Sequence, residues 1–276
     1  MPKMRAAIFV EPGRIVLADK PIPDPGPLDP VIRTTTTTIC GTDVHILKGE
    51  YPVAKGLTVG HEPVGIIEKL GSAVKGFTEG QRVIAGAESA NIRIGDAVAV
   101  FAQGPIGLCA TAGAKLSGAT TVIGVDGIAA RLEVSRRFGA DVTVNIHDGD
   151  PVGQIMAITD GRGVDVAIEA LGTQATFEGA LRVIRPGGTL SSLGVYSTDL
   201  RIPLGPFAAG LGDHEIITTL CPGGKERMRR LVEVIRSGRV DLKPMVTHRF
   251  KLDQIEAAYD LFGHQRDGVL KVAITP

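Results

Sequence analysis

From about Asp96 onward the chain repeats one pattern: an apolar strand, a glycine turn and an amphipathic helix. The apolar runs are AVAVFA (97–102), TVIGVD (121–126), VTVNI (142–146), VDVAIEAL (164–171) and GTLSSLGV (188–195). Helical stretches lie at Pro105–Leu116, Ala129–Phe138, Val152–Thr159 and Ala175–Ile184. Strands that are apolar on both faces and alternate with helices predict an α/β fold with a doubly wound parallel sheet. A sixth strand, EIITTL (215–220), precedes the helix KERMRRLVEVIRSG, in which Met228, Leu231, Val232 and Ile235 recur at helical spacing.

The first 90 residues read differently, as short β-rich runs broken by Gly and Pro: MRAAIFV, VIRTTTTTI, EPVGIIEKL and GQRVIAG. The tract Pro21–Pro30 is too rich in proline for a helix or a central strand and is expected as a surface loop. After Lys243 the segment MVTHRFKL, a helix over Asp253–Phe262 and GVLKVAI resemble the β-module again. The expected organisation is therefore a discontinuous β-rich domain, 1–90 plus 243–276, with the parallel-sheet domain, 91–242, inserted into it.

Thirty basic residues balance 30 acidic ones, so no net charge draws the chain to nucleic acid or to an anionic membrane. Aromatics are 4% of the residues and tryptophan is absent, which further disfavours base stacking. No apolar run reaches the roughly 20 residues that span a bilayer, and MPKMRAAIFVEPGR has no signal-like segment. A cytoplasmic location is expected. Three cysteines, Cys40, Cys109 and Cys221, are too scattered for a disulfide framework.

AVAVFA runs into Gln103, Gly104, Pro105, Ile106 and Gly107, where a helix opens. Free N–H groups and the dipole at a helix start suit a pyrophosphate, Gly104 admits the anion close to the main chain, and Gly107 permits close helix-to-strand packing. Ala102 stands where G-x-G-x-x-G has its first glycine. Asp126 ends the next strand, about 20 residues on, where a carboxylate accepts from an adenosine ribose and repels a 2′-phosphate. NAD is thus preferred over NADP, while Arg131 is a cation able to contact ribose or phosphate. An ordinary βα turn, with Asp126 capping a helix, would use the same residues.

Cys40, Gly41, Thr42, Asp43 and His45 form one short polar cluster, and Gly60, His61 and Glu62 form another. Thiolate, imidazole and carboxylate are zinc ligand types, although isolated Cys and His residues are more often structural. CGTDVH, GHEPVG, GQRV and VAVFAQGPIGL together closely resemble the zinc-containing medium-chain alcohol dehydrogenases, in particular the bacterial secondary-alcohol branch. The resemblance covers nearly the whole chain. It implies a Rossmann domain inserted into a GroES-like β-rich domain, and it implies Cys40 and His61 as zinc ligands with Glu62 beside the metal and able to ligate it. It further implies Thr42 as the hydroxyl on the substrate oxygen, His45 as a proton-relay histidine and Asp43 as the carboxylate that orients His61. In the cofactor domain it implies nucleotide contacts at Gly104, Pro105, Ile106, Gly107, Asp126 and Arg131. Backbone lining the nicotinamide is implied at Leu171, Gly194 and Val195, and a late phosphate contact at Lys271. Small secondary alcohols or ketones are the implied substrates, with a homodimer or homotetramer as the assembly; EIITTL could pair across a two-fold axis.

One departure stands out. GQRVIAGA runs almost directly into ESANIRIGDAVAV, so the long stretch that brings this family its remaining zinc ligand is missing, with a junction near Ala87 and Glu88. No cysteine lies between Cys40 and Cys109, so no four-cysteine structural zinc lobe is expected. The β-rich domain is truncated, and its zinc site is expected to be weak or empty. A cofactor-binding form with little turnover, or a zinc-independent quinone or alkene reductase, are the alternative readings, and retention of Cys40, His61 and Glu62 argues against the latter.

Overall fold

The computed structural model describes residues 2–84, 92–218 and 224–276. The junction at Ala87 and Glu88, residues Thr219 and Leu220 of the expected sixth strand, and Cys221 lie outside these. The chain divides into two compact units, one of Met1–Gly86 with Met245–Pro276 and the other of Ala87–Pro244. Among the described residues no helix is long and apolar enough to cross a membrane.

The first unit opens with an antiparallel hairpin, β1 (Lys3–Glu11) and β2 (Arg14–Pro21). The prolines then keep the chain out of regular structure until β3 (Pro30–Thr38), so the expected loop is present with its end residues taken into strands. Helix α1 (Gly41–Lys48), β4 (Val64–Leu70) and the short β5 (Arg82–Ile84) follow. Periodicity did not reveal α1, because one of its two buried residues is Asp43 rather than an apolar side chain.

The second unit holds β6 (Ala97–Phe101), α2 (Pro105–Leu116), β7 (Thr121–Asp126), α3 (Ala129–Arg137), β8 (Val142–Asn145), α4 (Pro151–Ile158), β9 (Val164–Glu169), α5 (Gln174–Val183), β10 (Ile184–Ser192), β11 (Glu215–Thr218) and α6 (Lys225–Arg236). Its six strands are all parallel, in the order β11-β10-β9-β6-β7-β8. Alternate residues of β6 point to opposite faces: Ala99 and Phe101 pack with Ile155, Phe177 and Leu181 of α4 and α5, while Val98 and Val100 pack with Ala114 of α2. Both faces are covered, which is why β6 and the inner residues of β7 are apolar on both sides. β10 differs from expectation, starting at Ile184 directly after α5 and slipping register between Ile184 and Thr189. Pro186 and the two glycines after it occupy the irregular stretch.

The chain then returns to the first unit as β12 (Val246–Lys251), α7 (Ile255–Gly263) and β13 (Lys271–Thr275). They complete a five-stranded sheet, β12-β13-β3-β4-β5, in which only the β12–β13 pair is parallel. Its core gathers Ile39, Ile255, Ala258, Tyr259, Phe262, Val272 and Ile274. The fold is therefore a doubly wound parallel sheet inserted into a discontinuous β-rich domain.

Candidate metal centre and cofactor turn

β3 ends at Thr38, Ile39 is buried, and Cys40 becomes the N-cap of α1. The Cys40 N–H donates to Asp43 Oδ2 at 2.9 Å, which closes the first turn of the helix. The other oxygen, Asp43 Oδ1, lies 3.2 Å from His61 Nδ1, and the aspartate is almost wholly buried. With Nδ1 facing this carboxylate oxygen, the second ring nitrogen is the one left for a metal. One ligand atom from each of Cys40, His61 and Glu62 falls within 4.8 Å of the others. The bond to Asp43, and then contact with Cys40, push His61 up to about 10 against an opposing effect of burial. The ring therefore carries a proton that a metal must displace.

The Thr42 hydroxyl lies 3.8 Å from Cys40 Sγ, at the edge of the cluster. His45, one turn on, aims Nδ1 at Glu50 Oε2, 2.5 Å away. Glu62 is held by residues not expected there. Lys271 Nζ sits 2.8 Å from Oε1 and 2.6 Å from Oε2, and the Thr38 hydroxyl also donates to the carboxylate. Lys271, assigned by resemblance to a cofactor phosphate, thus lies on β13 of the first unit and pairs with Glu62. Tyr259 of α7 is a further residue the sequence did not reveal. Burial first, and then the negative charge of Asp43, raise its phenol far above the ordinary value.

The donor set fits zinc: a thiolate, an imidazole with a carboxylate behind it, and a second carboxylate, a trio that in catalytic sites leaves a fourth position open.

In the second unit the chain leaves β6 through Ala102, whose φ of 72 is left-handed, and Gly104 caps α2 with Pro105 in its first turn. A Cβ on Gly107 would run into the carbonyl oxygen of Ala102, whereas one on Gly104 would meet nothing within 4 Å. Gly107 is thus required for packing, and Gly104 leaves its backbone open to an approaching anion. Ile106 is exposed and Arg131 lies in the first turn of α3. Asp126 Oδ2 accepts the Gln103 N–H at 2.6 Å and Oδ1 accepts the Ile128 N–H at 2.8 Å, so the acid at the end of β7 braces the glycine turn. The fully buried Gln103 adds a second brace, donating to the Val100 carbonyl oxygen and accepting from Thr111. The open backbone at Gly104, on a turn braced from beneath, suits a dinucleotide pyrophosphate.

Leu171, Gly194 and Val195 come together at the ends of β9 and β10. A Cβ on Gly172 would collide with the Val195 backbone, and one on Gly194 with Gly172 and the Glu169 carboxylate. Glu169 is buried at the centre of this contact; an acid inside the apolar run VDVAIEAL was the signal for it in the sequence.

A profile described as "Alcohol dehydrogenase GroES-like domain" matches residues 26–143, and one described as "Zinc-binding dehydrogenase" matches residues 105–237. The chain is 57% identical to an alcohol dehydrogenase of Cupriavidus necator over 361 aligned positions, covering 99% of each protein. The chain belongs to the zinc-binding alcohol dehydrogenase family. Because 361 positions are aligned to a chain of 276 residues, this member of the family lacks an internal stretch that its relative carries. It is also 28% identical to an NADP-dependent isopropanol dehydrogenase of Thermoanaerobacter brockii, over 98% of this chain and 99% of that protein. Among solved structures of the family, a zinc-dependent alcohol dehydrogenase from Streptococcus pneumonia superposes with a TM-score of 0.88 at 28% identity, covering 99% of this chain and 98% of that one.

Proposed function

We propose that this alcohol dehydrogenase moves a hydride between NAD and a small secondary alcohol or ketone, assisted by zinc held by Cys40, His61 and Glu62. The observation that carries the reading is the clustering of those three ligand atoms within 4.8 Å, beside the Thr42 hydroxyl. When bound, zinc supplies Lewis acidity toward the substrate oxygen, and the nicotinamide ring gives or takes the hydride. Asp43 would fix the orientation of His61, and Thr38 and Lys271 hold the Glu62 carboxylate beside the other two ligands. In the oxidation direction Thr42 Oγ1 would accept the proton of the substrate hydroxyl while giving up its own, and His45, whose Nδ1 lies on Glu50, would pass the released proton on to solvent.

The N–H groups opening α2 take the pyrophosphate, Asp126 and Arg131 border the adenosine ribose, and Leu171, Gly194 and Val195 border the nicotinamide. NAD is the expected cofactor although the T. brockii relative is named as NADP-dependent. Asp126 would meet a 2′-phosphate with like charge. A homodimer paired through β11, or a tetramer of such pairs, is the expected assembly.

The test is metal analysis of the purified chain beside NADH oxidation with a panel of small ketones, repeated on Asp126→Ser with both cofactors. Zinc-dependent turnover with NAD favoured, and a narrower preference in the variant, is the expected result. Equal affinity of the unmodified protein for NAD and NADP would overturn the reading of Asp126. NAD binding without zinc or turnover would leave a cofactor-holding form.

A further inference from the structure

Glu169 closes β9, and its side chain is entirely shielded from solvent. It pairs in register with Phe101, the last residue of β6. Between these two strands the order of the sheet reverses: β6, β7 and β8 lead one way and β9, β10 and β11 the other. In such sheets a dinucleotide lies across the carboxyl ends of the strands at the reversal. Asp126 marks the β7 side as that of the adenosine, so the nicotinamide half falls over the ends of β9 and β10, where Glu169 sits.

Both oxygens of Glu169 accept. Oε1 takes the N–H groups of Leu171 and Gly172, each at 2.8 Å, and the Thr176 hydroxyl at 2.7 Å. Oε2 takes the Tyr196 hydroxyl at 2.7 Å, which also meets Ser192 Oγ at 2.7 Å. Donors on every side are the pattern of an ionised carboxylate. All of them are neutral, and among the described residues no cation pairs with Glu169. The start of α5 adds a partial positive charge but not a whole one. A buried anion without a counter-ion is costly to keep.

We propose that the missing counter-charge is the oxidised nicotinamide ring, so that Glu169 biases the site toward NAD+ over NADH. The inference rests on the cofactor reading above. Glu169 acts through its field and through the Leu171–Gly172 backbone it holds, as a positioning residue, without touching substrate.

Glu169→Gln keeps the shape, and its carbonyl oxygen can still accept from Leu171, Gly172 and Thr176. Titration of the full chain with NAD+ and with NADH should give a Kd ratio that moves against NAD+ by about threefold or more, the order expected for one charge felt across partly solvated protein. Thr176→Lys, which leaves Glu169 in place and sets an ammonium beside it, should move the ratio the same way and keeps the test open if the glutamine variant folds poorly. Tyr196→Phe removes a donor but not the charge and should leave the ratio unchanged. A purely structural role would weaken both cofactor forms equally, and that result in the two charge variants overturns the inference alone. Failure of the unmodified protein to bind either form overturns the cofactor reading and the inference together.

Discussion

Ala102 holds a backbone conformation in which its methyl group is a burden, and the reason is local: the turn between β6 and α2 must double back so that Gly107 can press against the Ala102 carbonyl. Ala102→Gly should therefore stabilise the protein, by about 1 kcal/mol after the entropy of the added glycine is deducted. A shift of the urea midpoint to higher concentration at unchanged slope is the expected observation. His61 makes a second prediction at this scale. Its folded value, about 10, lies above the ordinary 6.5, so the stabilisation it shares with Asp43 is complete below pH 6.5 and is lost as pH rises through about 10. Chelator-treated protein should show a falling melting temperature over that window, and His61→Asn should flatten the decline. In the same window zinc should bind more tightly as pH rises, because fewer protons must leave the ligands.

At the scale of elements, Asp165 joins the beginnings of two neighbouring strands. From β9 it accepts the N–H of Ala97, the first residue of β6, at 2.9 Å, and it pairs with Arg162 and Arg185 at 2.6 Å each. Burial alone would raise this carboxyl, but Arg162, the Ala97 N–H and Arg185 outweigh it and hold the group well below the usual range. The stabilisation is present above the unfolded value near 3.8 and is lost as pH falls below it. Asp165→Asn should cost about 1–2 kcal/mol at neutral pH, a figure reduced for the partly exposed arginines, and almost nothing in strong acid. Paired denaturant titrations at the two pH values check this. Helix α6 shows the opposite situation: Met228, Leu231, Val232 and Ile235 recur as the sequence indicates, yet none is buried and Ile235 is 45% exposed. Periodicity reveals an apolar face but not what covers it.

For the molecule as a whole, the metal ligands belong to one compact unit and the glycine turn to the other. Cys40→Ser should abolish alcohol oxidation while leaving NAD affinity within about twofold, because the thiolate serves the substrate oxygen and makes no contact with adenosine or pyrophosphate. Turnover that survives the change would remove zinc from the mechanism. The parallel sheet and the return of β-rich segments after Lys243 were legible before any coordinates, because apolar strand runs are local patterns of the chain, whereas Cys40 and Asp43 were joined to His61 and Glu62 only by the resemblance of CGTDVH and GHEPVG to family motifs. What the tertiary structure alone decided is which distant groups meet them. Lys271 reaches Glu62 across 209 positions, Tyr259 reaches Asp43 from α7, and Tyr196 closes over Glu169. Such pairs leave no period in the sequence, since a buried charge takes its partner from whichever element the fold carries past it.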